Sequence, residues 1–367
     1  MKVPYLDFLK INSPIEDKIN SEILSVVNSG VYINGPHKEA FEKEYAEYCN
    51  AVDCVGVGNG LDALTISLWA LKNKNKWNES CEVIMPAHTF IATALSVMQA
   101  GLKPVLCDVD CSTHSLCLEQ LKKTITSNTK VIVVVHLHGF MANLNELQNL
   151  CEAKGISLIE DAAQSHGAVF NNKKSPHYSA LATFSFYPGK NLGAIGDGGA
   201  IVTNDVELGK SVRAISNYGS VTRYNHEFIG VNSRLDEIQA AFLSLRLKNL
   251  DIENNKRIET ARLYSENIDN PQITLPVFYG NGQHVYHNYV LYCEERDELL
   301  RYLSKKEIDA IIHYPKSLNQ HECFEHYNFG EFKNAEIIAS QCLSIPIGPH
   351  LNEEQKSYVI EALNHFK

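Results

Sequence analysis

The chain has 367 residues, 44% of them hydrophobic, enough to bury a large core as two domains or as one large domain with an appendage. Its 33 Lys and Arg against 43 Asp and Glu leave a net charge of −10 without any basic block, which argues against nucleic acid or an anionic membrane surface as a partner. Ten cysteines without a C-x-x-C pair, and an N-terminus without a long apolar stretch, point to a reduced, soluble, cytoplasmic protein.

Ser13-Pro14-Ile15-Glu16 reads as a capping box with Pro at the first helical position, and Ile15, Ile19, Ile23 and Val26 give the helix one buried side until Gly30. The loop Tyr32 to Pro36 leads to a second amphipathic helix carrying Phe41, Tyr45 and Tyr48. Cys54 to Gly60 is a strand entering a glycine turn, and Leu61 opens a helix, a geometry that aims backbone N–H groups at an anion.

Strands and helices then alternate. Strands are expected at Val83 to Met85, Pro104 to Cys107, Val131 to Val135 and Ile156 to Ile159, with helices from about Thr89, near Leu116 to Ile125 and from about Asn143. The apolar runs are continuous, as in strands covered on both faces, so the sheet is expected to be largely parallel. Further strands are expected at Ala182 to Phe186 and Ala200 to Thr203, the second returning hairpin-like, then helices at Val206 to Ile215 and Leu235 to Leu247. A charged helical stretch, Asp251 to Arg262, bridges to a C-terminal α+β region with Val285 to Cys293, a helix at Asp297 to Lys305 and a last helix from Asn352.

Two stretches carry the chemistry. Phe184 to Gly199 places Lys190 on a glycine-rich turn between two β-type runs, where an amine can be presented into a cavity and form a Schiff base. Just upstream, Leu158 to Ala168 ends a β-run in Asp161, with Gln164 and His166 in the turn after it. A carboxylate near a presented lysine is what pyridoxal phosphate needs: the lysine makes the imine, and the acid keeps the pyridine nitrogen protonated. The solvated surface lysine is the competing reading of Lys190.

Other patterns do not compete. Gly56-x-Gly58-x-Gly60 lacks the spacing of a dinucleotide fingerprint and suits a lone phosphate, and Pro188-Gly189-Lys190-Asn191 lacks the other residues of a P-loop. His136 and His138, at a strand end on one face, have a spacing zinc can use. With so few ligands, satisfied or substrate-facing histidines are the better reading, and no metal is expected. Phe90 is core by default; in a pyridoxal site it would lie flat on the ring.

Together with Tyr32-Ile33-Asn34-Gly35-Pro36, Val57 to Leu64, Pro86 to Phe90, Asn217 to Ser220 and Gly230 to Asp236, these segments resemble, in colinear order, the DegT/DnrJ/EryC1/StrS family of PLP-dependent nucleotide-sugar aminotransferases. The resemblance implies an aspartate-aminotransferase-like α/β fold (type I). Its large domain, residues 1–250, would hold a mainly parallel sheet flanked by helices, and a smaller C-terminal α+β domain would span residues 251–367. It also implies a homodimer with shared active sites, pyridoxal 5′-phosphate as cofactor and L-glutamate as amino donor. Carried over, Lys190 is similar to the Schiff-base lysine and proton shuttle, and Asp161 to the pyridinium partner. Gln164 would bond the ring hydroxyl, Phe90 would stack, and Gly60, Leu61 and Ser185 would hold the phosphate, which Asn232 would reach from the partner subunit.

One branch of the family has histidine in place of the lysine and dehydrates its substrate; Lys190 favours transamination here. Gly60 to Leu64 and Ile312-His313-Tyr314-Pro315 resemble the enzymes that aminate C3 of dTDP-3-oxo-6-deoxyhexoses, in which Tyr187, Tyr224, His313 and Tyr314 would line the sugar and diphosphate. His138, where Tyr is common, and Lys316 to Asn319 depart from that pattern. The alternatives are a C4 aminotransferase acting on a nucleotide-linked 4-keto-6-deoxyhexose, a non-catalytic regulator of the same fold, and a metal-dependent hydrolase using His136 and His138.

Overall fold

A computed structural model describes residues 1–222 and 224–367. The chain opens with α1 (Phe8–Asn12), a 3-10 turn (Ser13–Ile15) and α2 (Glu16–Ser29). The capping box expected at Ser13 does not form. The 3-10 turn already supplies an acceptor, Ser13 O, for the N–H of Glu16, and the Ser13 hydroxyl donates to Lys10 O (3.2 Å). Within α2 only Val26 is fully buried, while Leu24 and Val27 are exposed.

Helix α3 (Pro36–Cys49) has no side-chain cap of its own at Gly35. Its orphan amides are met from far along the chain: the buried Glu237 carboxylate accepts the N–H groups of Gly35 (2.9 Å), His37 (2.9 Å) and Lys38 (3.0 Å). A negative charge there also faces the positive end of the helix.

Among the described residues seven strands form one sheet: β1 (Asp53–Val57), β2 (Glu82–Pro86), β3 (Lys103–Cys107), β4 (Thr129–Val135), β5 (Ser157–Asp161), β6 (Leu181–Ser185) and β7 (Gly199–Thr203). Their order is β1-β7-β6-β5-β4-β2-β3, and β7 alone runs against its neighbours β6 and β1. The helices α4 (Gly60–Asn75), α5 (Ala92–Gln99), α6 (Leu118–Thr124), α7 (Leu144–Lys154), α8 (Val206–Ile215) and α9 (Glu237–Leu247) cover both faces. Alternate strand residues divide between them. Val55, Val83, Val131 and Ile201 pack with Leu64 and Leu68 of α4 and Val212 of α8. On the other face Phe184 and Val202 meet Phe41, Tyr45 and Leu243, and Ile132 and Leu158 meet Leu121 and Leu147. Burial on both sides is why these strands read as unbroken apolar runs.

After a small hairpin, β8 (Ser220–Thr222) and β9 (Asn225–His226), α10 (Leu250–Asn267) leads to a second layer. There β10 (Tyr289–Tyr292) pairs antiparallel with β11 (Cys342–Ile345), beside α11 (Arg296–Lys305), α12 (Lys333–Gln341) and α13 (Glu353–Asn364). This C-terminal core also takes Val3, whereas Leu318, Phe324 and Ile338 pack into the core of the large sheet, so neither core is one uninterrupted stretch of chain. No helix among the described residues is long and apolar enough to cross a membrane.

Glu237→Ala leaves three amides without their acceptor at once. We expect it to lower unfolding stability by about 2–4 kcal/mol, read from the urea midpoint at unchanged m-value.

Candidate active site

The parallel strands end on one edge of the sheet, and the turns leaving that edge carry the chemistry. Strand β5 delivers Asp161, which is buried. Its Oδ2 accepts the Thr93 hydroxyl (3.0 Å) and its Oδ1 the N–H of Ala163 (3.3 Å). Burial pushes this carboxyl above its ordinary pKa, while the Ala163 N–H, the Thr93 hydroxyl and the Lys190 ammonium pull it back.

Strand β6 ends at Ser185, and the segment between β6 and β7 carries Lys190. The Phe186 N–H bonds Gly198 O (2.8 Å), the Ala194 N–H bonds Phe186 O (2.8 Å), and Lys190's own N–H bonds Tyr187 O (2.8 Å). Gly193 lets this turn close, because a Cβ there would overlap the Pro188 carbonyl oxygen. Burial drives the Lys190 amine from 10.5 down to about 8, against the opposing pull of Asp161. The amine is therefore half-deprotonated near pH 8, and a minor neutral fraction is already present at neutral pH.

Strand β1 feeds α4 through Asn59, whose side chain caps the helix by accepting the Asp62 N–H (2.8 Å). The first amides, Gly60 and Leu61, have no intrahelical acceptor and face outward at the positive helix end. A Cβ on Gly60 would come within 2.8 Å of the Ser185 Cβ, so only glycine lets Ser185 close over this start. Gly60, Leu61 and Ser185 thus form one cradle.

Beside it lie Phe90 and Gln164. Phe90 is not in the expected helix, which starts two residues later at Ala92; it stands in the preceding turn, 51% exposed, its ring 5.5 Å from that of Tyr314. Gln164 is locked in one orientation: its Oε1 accepts the His138 N–H (2.6 Å), so Nε2 is the donor, here to the Tyr314 hydroxyl (3.0 Å). His138 makes this bond from a left-handed turn, φ 60°.

Of the expected sugar-side residues, Tyr314 meets Gln164 and Phe90, and the His313 ring stands beside it at 5.4 Å. His313 Nδ1 bonds Ser344 Oγ (2.8 Å), and burial followed by the Lys190 charge drives its pKa down to about 4. Tyr187 is exposed next to the lysine turn, and Tyr224 and Asn232 are exposed as well, Tyr224 at 81%.

Several residues in the site escaped sequence reasoning. Tyr5 donates to Asn288 Oδ1 (2.8 Å) and places its ring 5.9 Å from His313. Asn191 donates to Asn254 Oδ1 (2.8 Å) and Val285 O (3.1 Å), and Asn254 donates to His166 O (2.8 Å). The His166 Nε2 proton goes to Ser185 O (2.9 Å), so Nδ1 accepts from Tyr45 (2.9 Å); burial keeps this ring neutral, at a pKa of about 3. These long-range pairs leave no local sequence signal. The zinc reading has no support in the geometry: His136 Nε2 donates to Glu160 (2.8 Å) and its Nδ1 accepts the Ala142 N–H (3.3 Å). No group of three or more His, Cys, Asp or Glu among the described residues is placed to hold a metal ion.

A cradle of helix-start amides, an aromatic face, a buried acid and a lysine lowered to about 8 fit pyridoxal phosphate, and the fold and family define a PLP-dependent aminotransferase. The chain belongs to the DegT/DnrJ/EryC1/StrS aminotransferase family, whose model matches residues 13–364. It is 42% identical to the erythromycin biosynthesis sensory transduction protein EryC1 of Saccharopolyspora erythraea, over 99% of both chains. To the dTDP-3-amino-3,6-dideoxy-alpha-D-galactopyranose transaminase of Aneurinibacillus thermoaerophilus it is 40% identical, again over 99% of both. The crystal structure of S. venezuelae DesV in complex with a ketimine intermediate superposes with a TM-score of 0.95 at 40% identity, covering 99% of this chain and 98% of that one.

Because only the neutral amine captures an aldehyde, PLP uptake by the apo-protein is expected to quicken as pH rises through about 8. Stopped-flow absorbance over the pH range checks this, and Lys190→Arg is expected to abolish the covalent phase.

Proposed function

We propose that this enzyme moves an amino group from L-glutamate to C3 of a dTDP-linked 3-oxo-6-deoxyhexose, giving the 3-amino-3,6-dideoxy sugar. The observation that carries the chemistry is a Lys190 amine lowered to about 8 within electrostatic reach of buried Asp161. The name of the A. thermoaerophilus relative supports C3 over C4 and dTDP as the carrier.

When bound, PLP supplies an aldehyde for the donor's amine and a pyridinium ring that withdraws electrons from the reacting carbon. In this reading Gly60, Leu61 and Ser185 bind the phosphate, Phe90 supports the ring face, and Gln164 donates Nε2–H to the ring hydroxyl. Asp161 holds the proton on the ring nitrogen. Lys190 Nζ would accept the proton from the donor's α-carbon and deliver it to the cofactor's C4′, and in the second half would carry a proton from C4′ to the sugar carbon, a task its value near 8 suits. Tyr187, Tyr224, His313 and Tyr314 orient the sugar nucleotide, and the raised pKa of Tyr314, caused by its burial, keeps that phenol a neutral donor.

The same reading takes the enzyme to be a cytoplasmic homodimer. All ten cysteines are free thiols, as a reducing compartment requires. Exposed Leu24, Val27, Tyr32 and Ile33 offer an apolar surface, and exposed Asn232 would complete the phosphate site of the partner subunit.

Two measurements test this. Glutamate is expected to bleach the visible band of the holoenzyme, and a dTDP-3-keto-6-deoxyhexose to restore it, while the 4-keto isomer does not. Recovery with the 4-keto sugar alone would refute the regiochemistry, and no bleaching would refute the donor. Mixing Lys190→Ala with Asn232→Ala protein is expected to recover activity that neither has alone; no recovery from two folded, inactive variants counts against shared sites.

A further inference from the structure

Asp161 is held by a device that no motif identifies. Thr93, on the second residue of α5, is fully buried, and its hydroxyl reaches Asp161 Oδ2 at 3.0 Å from 68 residues away in sequence. A hydroxyl has one proton to give, and Thr93 gives it to the carboxylate. The contact between Thr93 Oγ1 and Thr89 Oγ1 (3.2 Å) must then run the other way, with buried Thr89 donating. The two threonines form a directed chain, Thr89 to Thr93 to Asp161, in which each bond polarises the next. The Ala163 N–H occupies one lone pair of the other oxygen, and each oxygen keeps a second lone pair for a further donor.

The geometry points to Thr93 as the positioning residue that keeps Asp161 ionised and aims its free lone pair at the cofactor's ring nitrogen. This rests on the PLP reading of the site. The other groups facing Asp161 are the Lys190 amine and the His136 ring, with the neutral Tyr314 phenol nearby. The Lys190 nitrogen is given over to the covalent bond once an aldehyde is bound, and His136 is committed to Glu160. That leaves neutral donors, Thr93 and the Ala163 N–H, to hold the anion through the reaction. The methyl group of Thr93 adds the fit of a buried helix position, so shape and hydrogen bond can be separated by substitution.

Thr93→Val keeps the shape and removes the donor; Thr93→Ser keeps the donor. With the holoenzymes we would measure the pH dependence of the PLP dissociation constant and the NMR shift of an isotope-labelled pyridine nitrogen. In Thr93→Val the acid limb is expected to move up by about one pKa unit, as losing one hydrogen bond to a buried carboxylate implies, with the ring nitrogen less protonated at neutral pH. Thr93→Ser is expected to match the wild type. A Thr93→Val protein that melts lower but keeps the wild-type pH profile and nitrogen shift would show a merely structural role and overturn the proposal. If Thr93→Val is insoluble, Thr89→Val decides: a smaller shift in the same direction supports the chain, and an unmoved profile refutes it. A wild-type protein that takes up no PLP would sink the cofactor reading itself, an outcome distinct from either.

Discussion

Burial acts in opposite senses on the two charges that meet at the edge of the sheet. It raises the pKa of Asp161 and lowers that of Lys190, and their mutual attraction opposes both shifts. An acid that must stay ionised and an amine that must readily lose its proton therefore cannot be served by burial alone. The structure resolves this with neutral donors. The Thr93 hydroxyl and the Ala163 N–H favour the carboxylate without bringing a cation that would further depress the lysine. The imidazoles nearest Lys190 keep the same discipline: His166, His287 and His313 are all held below their ordinary pKa, first by burial, so they add hydrogen bonds but no positive charge.

The fold makes that meeting possible by bringing unrelated turns to one edge. Parallel β5 and β6 deliver Asp161 and Ser185 to one edge, Asp161 lying opposite Thr183 two residues before Ser185, and β1 brings the start of α4 to the same edge. Antiparallel β7 returns the chain directly, so the lysine segment is a closed turn rather than a crossover. The turn is then fixed from below. Asn191, next to Lys190, is bonded to Asn254 on α10, and Asn254 is bonded to the loop that follows Asp161. One buried asparagine on the helix leading to the C-terminal layer thus ties the lysine turn to the aspartate turn, and His166 extends the tie to Ser185.

What was legible in the sequence follows from this division. The sheet could be read because double-sided burial writes continuous apolar runs, and β5, β6 and β7 fall within a residue or two of where those runs place them. The lysine turn could be read because its glycines are demanded locally. Thr93, Asn254, Tyr5 and Glu237 could not, since each acts on a partner between 63 and 283 residues away and is, in its own neighbourhood, an ordinary helix or loop residue. Local rules also misled where tertiary context overrode them. Ser13 has the pattern of a cap, but the 3-10 turn that it opens supplies the acceptor instead; Phe90 has the pattern of a helix start, but the turn before α5 holds it half out of the protein.

The relative EryC1 bears the name of a sensory transduction protein, which raises the question of what the site would be worth to a chain that did no chemistry. Physical cost answers it. Burying a charge costs desolvation, which an opposite charge nearby repays only in part. Here the cost falls on Asp161, Lys190 and the hydrogen-bonded residues that hold them, and the result is an amine moved from 10.5 to about 8 and a pocket with an aromatic face half open. A fold that used this region only as a surface would be served as well by a leucine at position 190. A titratable amine held at that value beside an acid held ionised is useful where a proton has to be taken and returned, and that is the requirement of transamination.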